Sequence, residues 1–161
     1  MRYVKGDATA PQAPGVKRIV HSCNTLGGWG RGFVKALDKR FGRELGKAYR
    51  AWHKQRAHND FELGAVQTLA TRTNGVFVCN CIAQKGLGGK RRGNGEKTRP
   101  FSLDAFRSCL EKVRVVATEK NASVHMPRVG AGLGGGDWAL TENVIVQELC
   151  DHDIEVWVYS L

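Results

Sequence analysis

Acidic residues are in short supply in this 161-residue chain, 15 Asp and Glu against 25 Lys and Arg, for a formal net charge of +10. The imbalance points to anionic partners and does not choose among nucleic acid, nucleotide and acidic protein. Long apolar runs are missing too. None approaches the roughly 18 residues a membrane span needs, and the opening MRYVKGDATAP has neither the apolar core nor the cleavage pattern of a signal peptide. A cytoplasmic protein with no membrane partner is expected. Cysteine is present five times (Cys23, Cys79, Cys81, Cys109, Cys150), an odd number with no C-x-x-C pair. Reduced thiols suit that pattern better than a disulfide framework, and no Cys-His spacing suggests zinc or any other metal. No internal repeat is visible.

What remains is an ordinary globular composition, 42% hydrophobic and 25% charged, over a length that suits one domain spanning residues 1–161. Strand signals fall at Met1–Lys5, Arg18–Cys23, Phe61–Leu69, Val76–Ala83, Ala122–Pro127 and Ile154–Tyr159. Helical spacing of apolar residues marks Phe33–Phe41, Glu44–Ala57, Leu103–Thr118 and Trp138–Cys150. Asn74-Gly75 reads as the turn of a hairpin, and Ser102 as a helix cap without the acid of a full capping box. Six strands interleaved with four helices predict a three-layer α/β/α sandwich around a mixed six-stranded sheet. Residues 85–99 are rich in glycine and basic side chains, with Lys90, Arg91 and Arg92 as candidate phosphate contacts against a plain solvated loop.

Two glycine clusters sit where a strand leads into a helix: 27–32 after the first internal strand and 130–136 after the fifth. Glycine lets a backbone approach a ligand and turn its N–H groups inward, and the N-terminus of the following helix favours a phosphate. The second cluster contains G-x-G-x-x-G, a weak motif alone. A dinucleotide-binding reading fails because only about 25 residues follow it, too few for a second βαβ half, and the lysine of a nucleoside-triphosphate loop is missing. Two such loops suit a ligand with a phosphate centre and a sugar at each side.

The combination of Val4-Lys5-Gly6-Asp7, H-S-C-N-x-x-G-G-W-G-x-G-F over 21–33, H-M-P-R-V-G-A-G-L-G-G-G-D-W over 125–138 and the terminal V-Y-S-L resembles a macrodomain, the ADP-ribose-binding α/β/α module. It is most similar to small bacterial and phage proteins described as ADP-ribose 1″-phosphate processing, which resemble the yeast phosphatase of that type and the terminal ADP-ribose protein glycohydrolase group. The resemblance implies that Asp7, with Ala8 beside it, meets the adenine amino group, and that Asn24 holds the distal ribose hydroxyls. It places Gly28, Trp29, Gly30, Gly32 and Phe33 around that ribose and its phosphate. Val129, Gly130, Ala131, Gly132, Leu133, Gly134 and Gly135 would serve the diphosphate, and Tyr159 the adenine ring. Asp7 as a turn cap and Tyr159 as a core residue stay open.

In the glycohydrolase group a lysine at the end of the strand matching Val76–Ala83 attacks the distal ribose, and an acid follows the second loop's G-x-G-L. The matching positions here are Gln84 and Gly134. Lys85 is one residue on, facing away unless the strand bulges, and Asp137 comes three residues late. The catalytic candidates left are His21 as general acid or base, Asp137 to orient water, and Asn24. Against these stand a buried, satisfied His21 and an Asp137 that only caps a helix; a Cys23 nucleophile with His21 as base is a further option. The expected function is ADP-ribose binding with hydrolysis at the distal ribose, of an ester on protein carboxylates or of the 1″-phosphate. Alternatives are a non-catalytic ADP-ribose reader and an ADP-ribose-binding protein associated with nucleic acid. The expected partner is ADP-ribose or an ADP-ribosylated protein, with ADP-ribosylated nucleic acid as a second option; no cofactor and a monomer are expected.

Overall fold

The computed structural model describes residues 1–87, 93–96, 98–132 and 134–161. Lys90, Arg91, Arg92 and Leu133 lie outside the described residues. The strands are β1 (Arg2–Lys5), β2 (Lys17–Asn24), β3 (Val66–Ala70), β4 (Val76–Gln84), β5 (Ser123–Pro127) and β6 (Val156–Ser160). The helices are α1 (Val34–Phe41), α2 (Glu44–Lys54), α3 (Leu103–Glu119) and α4 (Trp138–Glu148). The sheet runs β1-β6-β5-β2-β4-β3, parallel except where β3 meets β4. The mixed sheet and three layers match the expectation, with single 3-10 turns ending the second and fourth helical segments earlier than their apolar spacing suggests.

Alternation along β2 sorts the core. Ile19 and Cys23 point to one side with Leu37, Phe41, Leu45 and Tyr49 of α1 and α2. Val20 points to the other, with Phe106, Leu110, Val113 and Ile145 of α3 and α4. Because both faces are covered, β2 and β4 read as nearly continuous buried runs rather than as alternating strands. Thr73-Asn74-Gly75 makes the β3–β4 hairpin, with Gly75 at a φ of 78° that suits glycine. Ser102 caps α3 as expected, its oxygen accepting from the Ala105 N–H at 3.1 Å. Among the described residues no helix is long and apolar enough to cross a membrane.

The strand order also fixes where a ligand can sit. β2 and β5 are parallel neighbours, yet β2 continues into α1 on one face of the sheet while β5 continues into α4 on the other. Connections that part to opposite faces leave a crevice beyond the carboxyl ends of the two strands.

Candidate functional site

A cleft of about 470 Å³ occupies that crevice. One wall is the first glycine loop, with Gly28, Gly30, Arg31, Gly32 and Phe33; the other is the second, with Arg128, Val129, Gly130, Gly132 and Gly134. The floor comes from strand ends: His21, Ser22 and Asn24 of β2 and Gln84 of β4. Among the described residues the lining carries two arginines and no Asp, Glu or Lys, so it presents positive charge to whatever enters. α1 adds to this. No side chain caps its start, and among the described residues the N–H groups of Phe33 and Val34 meet no acceptor, which leaves the positive end of the helix to a ligand.

The glycines of the two loops divide by what a side chain would meet. A Cβ on Gly130, whose φ is 78°, would lie 2.8 Å from the Phe101 ring, and one on Gly136 would lie 2.7 Å from it. The second loop is folded around Phe101, whose own N–H donates to the Gly134 carbonyl at 3.1 Å. Gly30 and Gly132 differ: a Cβ on either meets nothing within 4 Å, and neither has a positive φ. Both line the cleft as open backbone, so the fold itself does not require the absent side chain.

Asn24 builds the first loop. Its Oδ1 accepts from the N–H groups of Leu26 (2.9 Å) and Gly28 (3.0 Å), and its Nδ2 donates to the Gly28 carbonyl at 2.9 Å. The Tyr49 hydroxyl donates to the Asn24 carbonyl at 2.6 Å. One Nδ2 hydrogen is left for a ligand. A register shift between Cys23 and Asn24 pairs Asn24 with Gln84 rather than with Ala83. That irregularity delivers Gln84 to the floor, and its amide has no hydrogen-bond partner among the described residues. Lys85, one residue on, is exposed and outside the lining.

His21 lines the cleft but is held as part of its wall. It is 2% exposed, its ring packs against Trp29 and Phe33, and its Nε2 lies 2.5 Å from the Asn80 Oδ1. Asn80 spends its own N–H on the Gln67 oxygen at 3.0 Å, so Nε2–H donates and Nδ1 keeps the lone pair. Burial pushes the His21 pKa down to about 4. The Cys23 sulfur is 3.8 Å from that Nε2, but burial raises its thiol well above the usual range. The two are a neutral buried pair, not a thiolate and an imidazolium.

This makes the pH dependence definite. A histidine held near 4 in the fold and near 6.5 when unfolded binds its proton first in the unfolded state, so its contribution is complete above about pH 6.5 and drains away as pH falls toward 4. His125, also lowered to about 4 by burial, acts in the same sense. Urea unfolding at pH 7 and pH 4.5 is expected to differ by about 2 kcal/mol from His21 alone; equal stability at the two pH values would contradict this burial.

Several expected contacts are placed elsewhere. Asp137 is the N-cap of α4, its carboxylate accepting from the Ala139 N–H at 2.9 Å; it is exposed and outside the cleft lining. Asp137→Ala is therefore expected to lower stability by about 1 kcal/mol, as loss of a cap does, and to leave turnover within twofold; a large loss of rate at unchanged affinity would restore it as a catalytic acid. Trp29 is 4% exposed, packs on Tyr49 and donates to Asp38 at 3.0 Å, so it anchors the loop from behind rather than touching a ligand. Ala131 and Gly135 also fall outside the lining. At the far end, the Asp7 carboxylate is engaged in a turn, accepting from the Thr9 N–H at 2.8 Å and its hydroxyl at 2.7 Å. Ala8 is buried. Tyr159 is buried with its hydroxyl 2.8 Å from the His125 Nδ1. None of these three lines the cleft.

Ser22, Arg31, Gln84, Leu87 and Arg128 are lining residues that loop-by-loop reading passes over. Arg31 and Arg128 were in view inside the glycine-rich segments, where an unpartnered basic residue is itself a signal. The Arg128 guanidinium lies over the rings of Tyr3 (5.4 Å) and Trp138 (5.6 Å), a stacking that steadies it at the cleft edge. Among the described residues no group of three or more His, Cys, Asp or Glu side chains could hold a metal ion.

Sheet, layers and crevice define a three-layer α/β/α domain with a positively charged cleft at a topological switch point. The sequence model of the Macro domain family matches residues 20–145, and the chain belongs to that family. It is 30% identical over 160 residues to Chromodomain-helicase-DNA-binding protein 1-like of Danio rerio; the match takes in 99% of this chain and 15% of that protein, so the chain spans a small part of this relative. It is 24% identical over 160 residues to an ADP-ribose 1″-phosphate phosphatase of Candida albicans, covering 98% of this chain and 99% of that one. A macrodomain protein from Streptomyces coelicolor superposes with a TM-score of 0.85 at 44% identity, covering 99% and 98% of the two chains.

Proposed function

We propose that the protein, read as a single macrodomain over 1–161, binds ADP-ribose in this cleft and hydrolyses the ester that joins its distal ribose to an acidic side chain of a modified protein. The observation that supports binding is the acid-free cleft that its two loops line as open backbone at Gly30 and Gly132. In this reading a diphosphate lies between the loops, beside Arg31 and the N-terminus of α1. The distal ribose then reaches the Asn24 and Gln84 amides, which can hold hydroxyls or a water without taking a proton.

The choice of bond follows from what the cleft lacks. A protein carboxylate is a good leaving group, with a pKa near 4, so it departs without a general acid; water supplies the hydroxyl and proton, and ADP-ribose and the free acid result. Phosphate monoesters are among the slowest bonds to hydrolyse unaided, and a lining with no carboxylate or lysine among the described residues and a neutral, engaged His21 offers little to speed them. The ester is therefore favoured over the 1″-phosphate, although the Candida albicans relative is named for the latter. The same shortage of proton-transfer groups favours, as a second reading, a reader that binds ADP-ribose without turnover.

Incubating the protein with a substrate mono-ADP-ribosylated on glutamate and, separately, with ADP-ribose 1″-phosphate separates these. Release of ADP-ribose from the first and little phosphate from the second is the expected outcome. Consumption of neither, with free ADP-ribose still bound, would establish the reader. Between pH 5.5 and 8, kcat/KM is expected to show no ionisation near 6.5, because His21 stays neutral throughout that range.

A further inference from the structure

The net charge is not spread evenly. Residues 31–56 hold nine Lys and Arg and two acids, a net of +7, whereas residues 100–161 hold five Lys and Arg and nine acids. Residues 85–99 add six Lys and Arg against one acid; the α1–α2 layer carries the larger excess, and the α3–α4 layer uses cations internally: Arg107 and Arg114 both pair with Glu148, at 2.7 and 2.9 Å.

Along α2 the cations fall in register. Arg43, Lys47, Arg50 and Lys54 follow steps of four, three and four residues, a single stripe opposite the buried Leu45 and Tyr49. All four are exposed, and among the described residues none has a carboxylate partner. At 1.5 Å per residue the stripe is about 16 Å long. Lys35 and Lys39 of α1, exposed on the same layer, lead from it toward Arg31 in the cleft wall. A stripe of unpaired cations at regular spacing, running toward an anion-receiving cleft, matches a partner with regularly repeated charge.

We propose that the outward face of α1 and α2 is a docking surface for the phosphate backbone of a nucleic acid strand. Ala51 is the single apolar residue exposed on α2, so the face lacks the large apolar side chains with which an amphipathic helix enters a lipid surface. Two guanidinium groups in the stripe can each take two phosphate oxygens. The affinity of this surface for an unmodified strand does not depend on the hydrolysis proposed above.

The test is fluorescence anisotropy of a labelled, unmodified single-stranded DNA 20-mer against the whole protein from 50 to 300 mM NaCl. Wild type is expected to bind with a log–log salt slope of about −3, the value for roughly four phosphate contacts. The variant Arg43→Glu/Lys47→Glu/Arg50→Glu is expected to bind at least tenfold more weakly, with a slope closer to zero by about 2. Its ADP-ribose affinity in the same preparation should stay within twofold of wild type, which shows that the fold is intact. No binding by wild type at 50 mM, or equal binding by the variant, would overturn the proposal. So would phosphatidylserine vesicles or poly-glutamate that bind wild type as tightly, at equal charge, as the oligonucleotide.

Discussion

Gly132→Glu is expected to reduce ADP-ribose affinity at least tenfold while leaving the melting temperature within about 2 °C of wild type. The second half of that expectation comes from the structure. A Cβ on Gly132 meets nothing within 4 Å and its φ is not in the left-handed region, so the backbone accepts a side chain without strain. The first half follows from where the side chain must go. The open space beside Gly132 is the cleft itself, so the glutamate takes volume from the diphosphate and sets a negative charge against it. A tenfold loss corresponds to about 1.4 kcal/mol, a modest demand on steric exclusion and like-charge repulsion together. Gly130→Ala is the informative control. It drives a Cβ to 2.8 Å from the Phe101 ring at a positive φ, and is expected to lose stability as well as affinity. Calorimetric titration beside a thermal melt distinguishes the two variants. Equal ADP-ribose affinity for wild type and Gly132→Glu would mean that the second loop is not a phosphate site.

Asn24→Ala is expected to do more damage than any other single change in the first loop. Besides a longer bond from the Tyr49 hydroxyl at 3.2 Å, it removes the three within the loop, of 2.9, 3.0 and 2.9 Å, and leaves the Leu26 and Gly28 N–H groups and the Gly28 carbonyl without their partner. At about 1 kcal/mol for each bond the loss is near 3 kcal/mol, or about 6–12 °C in melting temperature for a domain of this size. ADP-ribose affinity should fall at least tenfold, because the loop that carries Gly28, Gly30 and the start of α1 is no longer held. Asn24→Asp keeps the acceptor and loses the donor, so it should melt between wild type and alanine while placing a negative charge in an otherwise acid-free lining. A melting temperature for Asn24→Ala within 2 °C of wild type would show that the loop is organised by something other than this amide.

The fold was legible where local chemistry and hydrophobic period agreed. Asn74-Gly75 marked the hairpin, Ser102 the start of α3, and the unbroken apolar runs of β2 and β4 the strands covered on both sides. The two glycine loops were legible as a candidate site because each lies between a strand and a helix, and both line the cleft. What each residue in them does was less so. Asp137 precedes a helix, and a carboxylate at such a position serves equally as a cap or as an acid in a cleft; only its bond to the Ala139 N–H decides between them. Trp29 stands among glycines like a ligand contact, but the pocket behind it is made by α2, where Gly46 leaves the space its indole fills: a Cβ there would sit 2.7 Å from the ring. Gln84 was visible only as a place where a lysine was missing. Its arrival opposite Asn24 depends on a register irregularity between strands sixty residues apart in the chain, and spacing within one strand cannot report that.

A crystal structure of the protein soaked with ADP-ribose tests the central claim most directly. The diphosphate is expected between the backbone N–H groups near Gly30 and Gly132, close to Arg31, with the distal ribose C1″ facing the Asn24 and Gln84 amides. Density for the ligand outside this cleft, or an unoccupied cleft at saturating ADP-ribose, would contradict it.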